Sequence, residues 1–402
     1  MTAATDSISL GDAMARRNAL VLAVASGLAG ANATVVFATG GIVGQSLASD
    51  MAWATLPAST FVFGTMLATL PVAFAARQFG RRVTFMGGNL LGAFAGILAA
   101  LAIYLASFAL FCFATGLAGA YQAIVQSYRY AAADTATPAF RPKAIAWVLT
   151  GGVAAAFIGP QIVIWTKELM LPYLFMASFL GQAIVAILTM GVTSRFEDQP
   201  AEEVKAGIQR PLSLILRQPR LVVAILCGTM AQAIMNFVMT AAPLAMVQCG
   251  HSIVDSTLGI QWHVIAMFGP SFFTGSLIQR FGKERMVIAG MLILISCGLV
   301  NLMGLTVAHF WMALVLLGIG WNFAYIGATA MVTDCHRPSE RAKVQGLNDF
   351  IIFGTTTVGS LLAGYLLARV GWNTINVSLI PFAVLCMGAM LLLMLTRPEK
   401  TA

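Results

Sequence analysis

This chain is short of charge: Asp, Glu, Lys and Arg make up 9% of its 402 residues, against roughly a quarter in soluble domains. With so little polar surface, a water-solvated globule of this length is excluded. Cysteine is sparse as well. The thiols Cys112, Cys227, Cys249, Cys297, Cys335 and Cys386 stand singly, without a C-x-x-C pair, so neither a disulfide framework nor a thiolate metal site is expected. The histidines lie apart from one another and from acids at metal-ligand spacing. No phosphate-binding glycine loop occurs, and no nucleophile, base and orienting acid can be assembled. ATP-driven transport, a resident metal and an embedded enzyme all lack their parts, and no cofactor is implied.

What is abundant is apolar sequence, 59% of the chain. It comes in runs near residues 19–40, 53–76, 83–104, 107–130, 144–165, 170–192, 220–247, 256–278, 286–305, 310–331, 344–368 and 373–396. Each is about the 20 residues that a helix needs to cross hydrocarbon. A spanning barrel would instead need strands of about ten residues with alternating polarity. Arg16 and Arg17 precede the first run as they would in a signal peptide. That run stays uncharged from Ala19 to about Leu47, longer than a signal core, and reads as a first span.

The fold class expected is therefore all-α and integral to a membrane, with twelve transmembrane helices. The net charge of +8 does not gather into a basic domain, so nucleic acid is not an expected partner. Its distribution is topological. All of the 23 lysines and arginines except Lys167 and Arg369 fall in the termini and in alternate loops that share one side of a twelve-span chain. Positive loops face the cytoplasm. Both termini are therefore expected there, in a bacterial-type inner membrane. The one long connection, Thr193 to Arg220, mixes Glu197, Asp198, Glu202 and Glu203 with basic residues and reads as a cytoplasmic linker. It divides the chain into residues 1–192, 193–219 and 220–402.

The two parts repeat one another. At an offset of 200 residues Asp134, Pro138, Arg141 and Lys143 meet Asp334, Pro338, Arg341 and Lys343. At the same offset Asn32 meets Gln232, Phe37 meets Phe237, Gln122 meets Asn322, and Gly159 meets Gly359. Phe79-Gly80-Arg81-Arg82 meets Phe281-Gly282-Lys283-Glu284 at 202. Two six-helix halves, a long central loop and a Gly80-Arg81-Arg82 turn together resemble the major facilitator superfamily over essentially the whole chain. The family turn reads G-x-x-x-D-R-x-G-R-R. Here Ala73, Arg77 and Gln78 occupy the first glycine, the acid and the first arginine. The second copy keeps Gly275, Arg280, Gly282 and Lys283, with Gln279 at the acid. The resemblance implies two pseudo-symmetric six-helix bundles, a gating role for Gly80, Arg81 and Arg82, and a central cavity lined by helices one, four, seven and ten.

The repeat-equivalent amides Asn32, Gln122, Gln232 and Asn322 lie on those four helices. An amide donates and accepts without a charge, which suits an uncharged polar solute; the same groups can join helices to each other, and both readings stand. Gln126 lies a turn beyond Gln122. The aromatics Phe37, Tyr121, Phe237, Trp321 and Phe323 stand nearby, with Tyr325, and would wall a site for a flat organic molecule. Met235 and Met239 are one turn apart, a spacing that chance supplies in a methionine-rich chain.

Asp349 is the one acid placed inside a span. It reads as a proton carrier or as a latch, and its depth near the charged side favours a latch with Arg129 of the fourth helix. His263 titrates near neutral pH when exposed and is a candidate for proton coupling, beside the plainer reading of a hydrogen-bonded packing residue. Gly151, Gly152, Gly159 and Pro160 resemble the glycine-proline motif of drug/proton antiporters. Close helix packing is the stronger account of them. The expected function is secondary transport of a small, neutral or weakly anionic, partly aromatic solute by alternating access. Efflux driven by protons has a slight lead over uptake of a nutrient or vitamin-like solute. The expected partners are that solute, membrane lipid and, under coupling, protons, and a monomer suffices.

Overall fold

A computed structural model of the chain describes residues 2–136, 140–198 and 210–396. Pro138, residues 199–209 of the central linker with Glu202, Glu203 and Lys205, and the terminal Arg397 and Lys400 lie outside the described residues. The described chain is helical, as a backbone in lipid must be when every N–H and C=O needs a partner within the protein. Twelve transmembrane helices follow in order. We label them α1 (Thr2–Ala29 continuing as Ala31–Leu47), α2 (Leu56–Phe79), α3 (Arg81–Tyr104), α4 (Phe108–Asp134), α5 (Arg141–Thr166), α6 (Met176–Thr193), α7 (Pro219–Gln248), α8 (Ile253–Phe268 with Ser271–Phe281), α9 (Lys283–Met303), α10 (Val307–Asp334), α11 (Arg341–Val370) and α12 (Trp372–Leu395).

Eleven of these are apolar and long enough to cross a membrane. The eighth is interrupted at Gly269-Pro270, because proline removes a backbone donor and crowds the carbonyl four residues earlier. The sixth begins at Met176 rather than near 170, since Phe175 takes a left-handed conformation with φ 66° that no helix can continue.

Two turns carry the repeat into three dimensions. Gly80 between α2 and α3 has φ 82°, and Gly282 between α8 and α9 has φ 89°. A side chain is strained in this region, which accounts for the glycine kept in both copies. Within the first half α2 and α4 nearly touch. A Cβ on Gly64 would lie 2.0 Å from the Gly116 carbonyl oxygen, and one on Gly119 would lie 1.9 Å from that of Phe61. Small residues permit such approach where lipid supplies no hydrophobic drive between helices.

The halves meet through α2 with α11, α5 with α8, and α1 with α7. At the face away from the charged loops they are joined by polar contacts. Ser59 of α2 donates to Ser360 of α11 at 3.0 Å, Thr240 of α7 reaches the same hydroxyl at 3.3 Å, and Arg369 pairs with Asp50 at 3.5 Å. Lys167 pairs with its neighbour Glu168. Both basic residues that stand on this face therefore have acidic partners.

Candidate functional site

At the charged face each ion pair stays inside one half or ties the linker to it. Arg81 pairs with Asp134, and its repeat counterpart Lys283 holds Asp334 at 2.6 Å. Arg220 joins the second cluster, 3.0 Å from Asp334 and 3.1 Å from Glu284. The missing family acid is replaced from elsewhere: Asp198, just past α6, accepts from the backbone N–H of Arg81 at 3.0 Å and of Arg82 at 3.2 Å. It thereby caps the positive end of α3. Arg17 pairs with Glu197, and the Asn18 amide exchanges hydrogen bonds with the Glu197 backbone. Among the described residues no ion pair crosses between halves on this face, whereas Arg369 and Asp50 pair across the opposite one.

The other end of the linker is clamped to the second half. Arg210 grips Glu340 through Nε and Nη2, at 2.7 and 2.6 Å, and the Glu340 carboxylate also accepts from the backbone N–H groups of Arg210 and Arg337. The Arg210 side-chain bonds first, and those backbone donors after them, hold the Glu340 carboxyl far below the usual carboxylate range, against the opposing effect of burial. A depressed carboxyl contributes stability that is complete above the ordinary carboxylate value of about 4.3 and is lost as pH falls toward the folded value. Glu340→Gln is therefore expected to melt several degrees below wild type at pH 7. The gap should narrow below about pH 4; thermal melts of the purified protein from pH 7 to pH 3 would check it.

Between the halves lies a central cavity lined from α1, α2, α4, α5, α7, α8, α10 and α11. Seven residues singled out for the site in the sequence face it: Phe37, Gln122, Gln126, Arg129, Gln232, Trp321 and Tyr325. One wall is aromatic. Trp321 stacks on Tyr325 with centroids 4.9 Å apart and planes 13° from parallel, and Phe268 meets the indole edge-on at 6.4 Å. The indole N–H donates to Gln232 Oε1 at 2.7 Å. The facing wall is polar: Gln122 Oε1 and Arg129 Nε are buried without a hydrogen-bond partner. Buried polar atoms without a protein partner are costly unless water, an ion or a bound group supplies one. Arg129 is the one charged residue in the lining.

The amide pairs divide unevenly. Asn32 donates to the Ala118 carbonyl at 3.0 Å and accepts from Gln182 at 2.6 Å, joining α1 to α4 and α6. Asn322 donates to Met267 O at 2.8 Å and Ser271 Oγ at 2.7 Å and accepts from Thr274 at 2.6 Å, which bridges the break in α8. Both shorter amides thus serve the helix-joining reading, while their glutamine counterparts reach the cavity. Tyr121 is buried with its hydroxyl donating to Asn89 at 2.7 Å. Neither Tyr121, Phe237 nor Phe323 lines the cavity.

His263 is fully buried, with Nδ1 at 2.9 Å from the Leu314 carbonyl. Asp349 receives a bond from Asn348 at 3.2 Å and interacts electrostatically with Arg129 across the gap between halves. The Arg129 guanidinium instead lies over the Tyr130 ring, 4.8 Å from its centroid, and bonds to its hydroxyl. The pair is not closed in this arrangement.

Several lining residues were not singled out for the site: Asn236, Phe268, Phe61, Phe353 and the hydroxyls of Ser26, Thr34, Thr65 and Thr356. Asn236 could have been found, since it lies one turn from Gln232 as Gln126 does from Gln122. Met235 and Met239 also face the cavity. The glycine-proline helix is accounted for by packing. A Cβ on Gly151 would lie 2.4 Å from the Ala23 carbonyl of α1, one on Gly159 2.6 Å from Thr34, and one on Gly152 2.8 Å from the Phe268 ring. That removes the sequence feature that had tipped the balance toward efflux.

The family model of the Major Facilitator Superfamily matches residues 20–270 and 264–402. The riboflavin transporter RfnT of Brucella anthropi is 49% identical over 381 residues, which is 94% of this chain and 96% of that protein. The uncharacterized MFS-type transporter YddS of Bacillus subtilis is 30% identical over 359 residues, 84% of this chain and 82% of its own. Among solved structures, a D-xylose-proton symporter matches with TM-score 0.75, and the xylose transporter XylE from E. coli in a partially occluded inward open conformation with 0.72. Each is 13% identical and covers 96% of this chain and 98% of its own, a likeness of fold.

Proposed function

This chain belongs to the major facilitator superfamily, and from that membership we propose that it imports riboflavin or a close flavin relative through the central cavity. It is a multi-pass membrane protein and a secondary transporter, not an enzyme. The observation that carries the substrate is the 49% identity, along nearly the full length of both chains, to a riboflavin transporter. The cavity supports the same reading. Riboflavin is a planar tricyclic ring with a polyhydroxylated chain and no charge near neutral pH. The Trp321–Tyr325 stack offers a flat surface for the ring. The amides and threonine hydroxyls of the lining suit the ring edge and the chain.

Uptake replaces efflux as the favoured direction because a vitamin carrier serves a cell by bringing the vitamin in. The positive-inside rule supports a cytoplasmic basic face and, with it, cytoplasmic termini in the inner membrane of a bacterial-type cell. The described arrangement is then inward-facing. Ser59, Thr240 and Ser360 form part of the closed outer gate. The test is accumulation of labelled riboflavin in right-side-out vesicles from a bacterium that lacks its own riboflavin uptake. Expression of this chain should raise the initial rate well above the empty vector, and a proton ionophore would report the energy source. A rate equal to the empty vector overturns the proposal.

A further inference from the structure

The hydrogen bond between Trp321 and Gln232 decides which way an amide points. An indole N–H can only donate, so the Gln232 atom 2.7 Å from it must be the oxygen. The Gln232 NH2 is thereby left for the cavity as a donor of fixed orientation, without another partner among the described residues. From the other half, Gln122 brings a buried oxygen with no donor. The cavity therefore presents a donor from α7 and an acceptor from α4, next to a stacked aromatic plane.

We propose that this site reads the imide edge of a planar heteroaromatic ring, a carbonyl beside a ring N–H, with Gln232 donating to the carbonyl and Gln122 accepting from the N–H. The proposal rests on the reading of the cavity as the solute site, and it narrows the solute to ring systems of the flavin, alloxazine, uracil or xanthine kind. Trp321 is the positioning residue. Stacked on Tyr325 and edged by Phe268, its indole cannot turn away, so the Gln232 amide cannot flip. A ring that lacks the N–H leaves the Gln122 oxygen unpaired in a dry site, and sites built to bond a polar group reject analogues that lack it strongly. Because the two readers sit on opposite halves, one ring edge bridges both.

The experiment compares binding of riboflavin and its N3-methyl derivative, which blocks only the ring N–H, to the purified full-length protein. Alloxazine and N3-methylalloxazine serve as a second pair. Wild type is expected to prefer each unmethylated ring by about thirtyfold or more. Gln122→Leu should reduce that preference to about threefold or less. Gln232→Glu keeps an oxygen for the Trp321 N–H but has no NH2, and should weaken both members of a pair by at least about tenfold. Melting temperatures of the variants guard against loss of fold. Equal wild-type affinity for both members of each pair, or an unchanged preference in a folded Gln122→Leu protein, overturns the proposal. Discriminating binding without riboflavin uptake by vesicles would overturn the transport reading alone. Uptake without discrimination would overturn the edge reading alone.

Discussion

Trp321→Ala is expected to lower the initial rate of solute uptake by about two orders of magnitude, with the loss falling mainly on KM. Three interactions disappear together: the stack on Tyr325, the edge contact with Phe268 and the bond to Gln232. Truncating a large buried aromatic costs about 3–5 kcal/mol. An acceptor stripped of its donor costs about 1–3 kcal/mol more where water cannot replace it. Part of that total falls on folding, and about 2.7 kcal/mol in binding is enough for the hundredfold. Trp321→Phe keeps a ring against Tyr325 and loses only the N–H, so about tenfold is expected. Phe323→Ala is the internal control. Its side chain is next in sequence but outside the cavity lining, and uptake should stay within about threefold of wild type. Rates in vesicles, with detergent melting temperatures alongside, check all three. A Trp321→Ala protein that folds and transports with unchanged KM would remove the aromatic wall from the site.

The contrast between Trp321 and Phe323 shows where sequence reasoning reaches its limit. Helix number, the repeat and the basic face were legible because each depends on summed properties over many residues: run length, paired landmarks and loop charge. The equivalence of Arg81–Asp134 and Lys283–Asp334 follows from the repeat in this way, and both pairs form. The capping role of Asp198 was not legible, since a linker acid and a turn more than a hundred residues away in sequence meet only in the fold. The direction that each side chain faces is likewise a matter of a few tens of degrees of helix rotation. In a helix apolar all round, no amphipathic stripe reveals it. Hence the amides split by length rather than by helix: Gln122 and Gln232 reach the cavity, while Asn32 and Asn322 bond to neighbouring backbone carbonyls. Helices α2, α5, α8 and α11 also contribute to the lining, because at this level they pack closely enough to seal the corners between the four central ones.

The second large effect is expected at the inner gate. Asp349→Asn and Arg129→Gln should each lower net uptake by about a hundredfold, and Asp349→Asn, outside the cavity lining, should leave riboflavin binding to the inward-facing protein within a few fold. Arg129 sits on α4 of one half and Asp349 on α11 of the other. They interact electrostatically without closing, and the Arg129 Nε has no hydrogen-bond partner. On the alternating-access reading, opening the contacts around Ser59, Thr240 and Ser360 on the far face is expected to rock the halves the other way and bring α4 against α11 at the basic face. The pair then becomes a closed ion pair in a nearly dry interface. Removing one partner there leaves a buried charge uncompensated, typically worth about 3–5 kcal/mol, and a shift of about 2.7 kcal/mol already lowers the outward-facing population a hundredfold. Tyr325 connects latch and cavity. One face stacks on Trp321, and both Tyr325 and Arg129 line the cavity. Two measurements separate a latch from simple damage. The exchange Arg129→Asp with Asp349→Arg should recover at least about a tenth of wild-type uptake. A cysteine introduced at Ser360 should label from the outside in wild type during turnover and become protected in either single variant. If Asp349→Asn transports at the wild-type rate, or if Ser360→Cys labels equally in wild type and variants, the pair is not the latch.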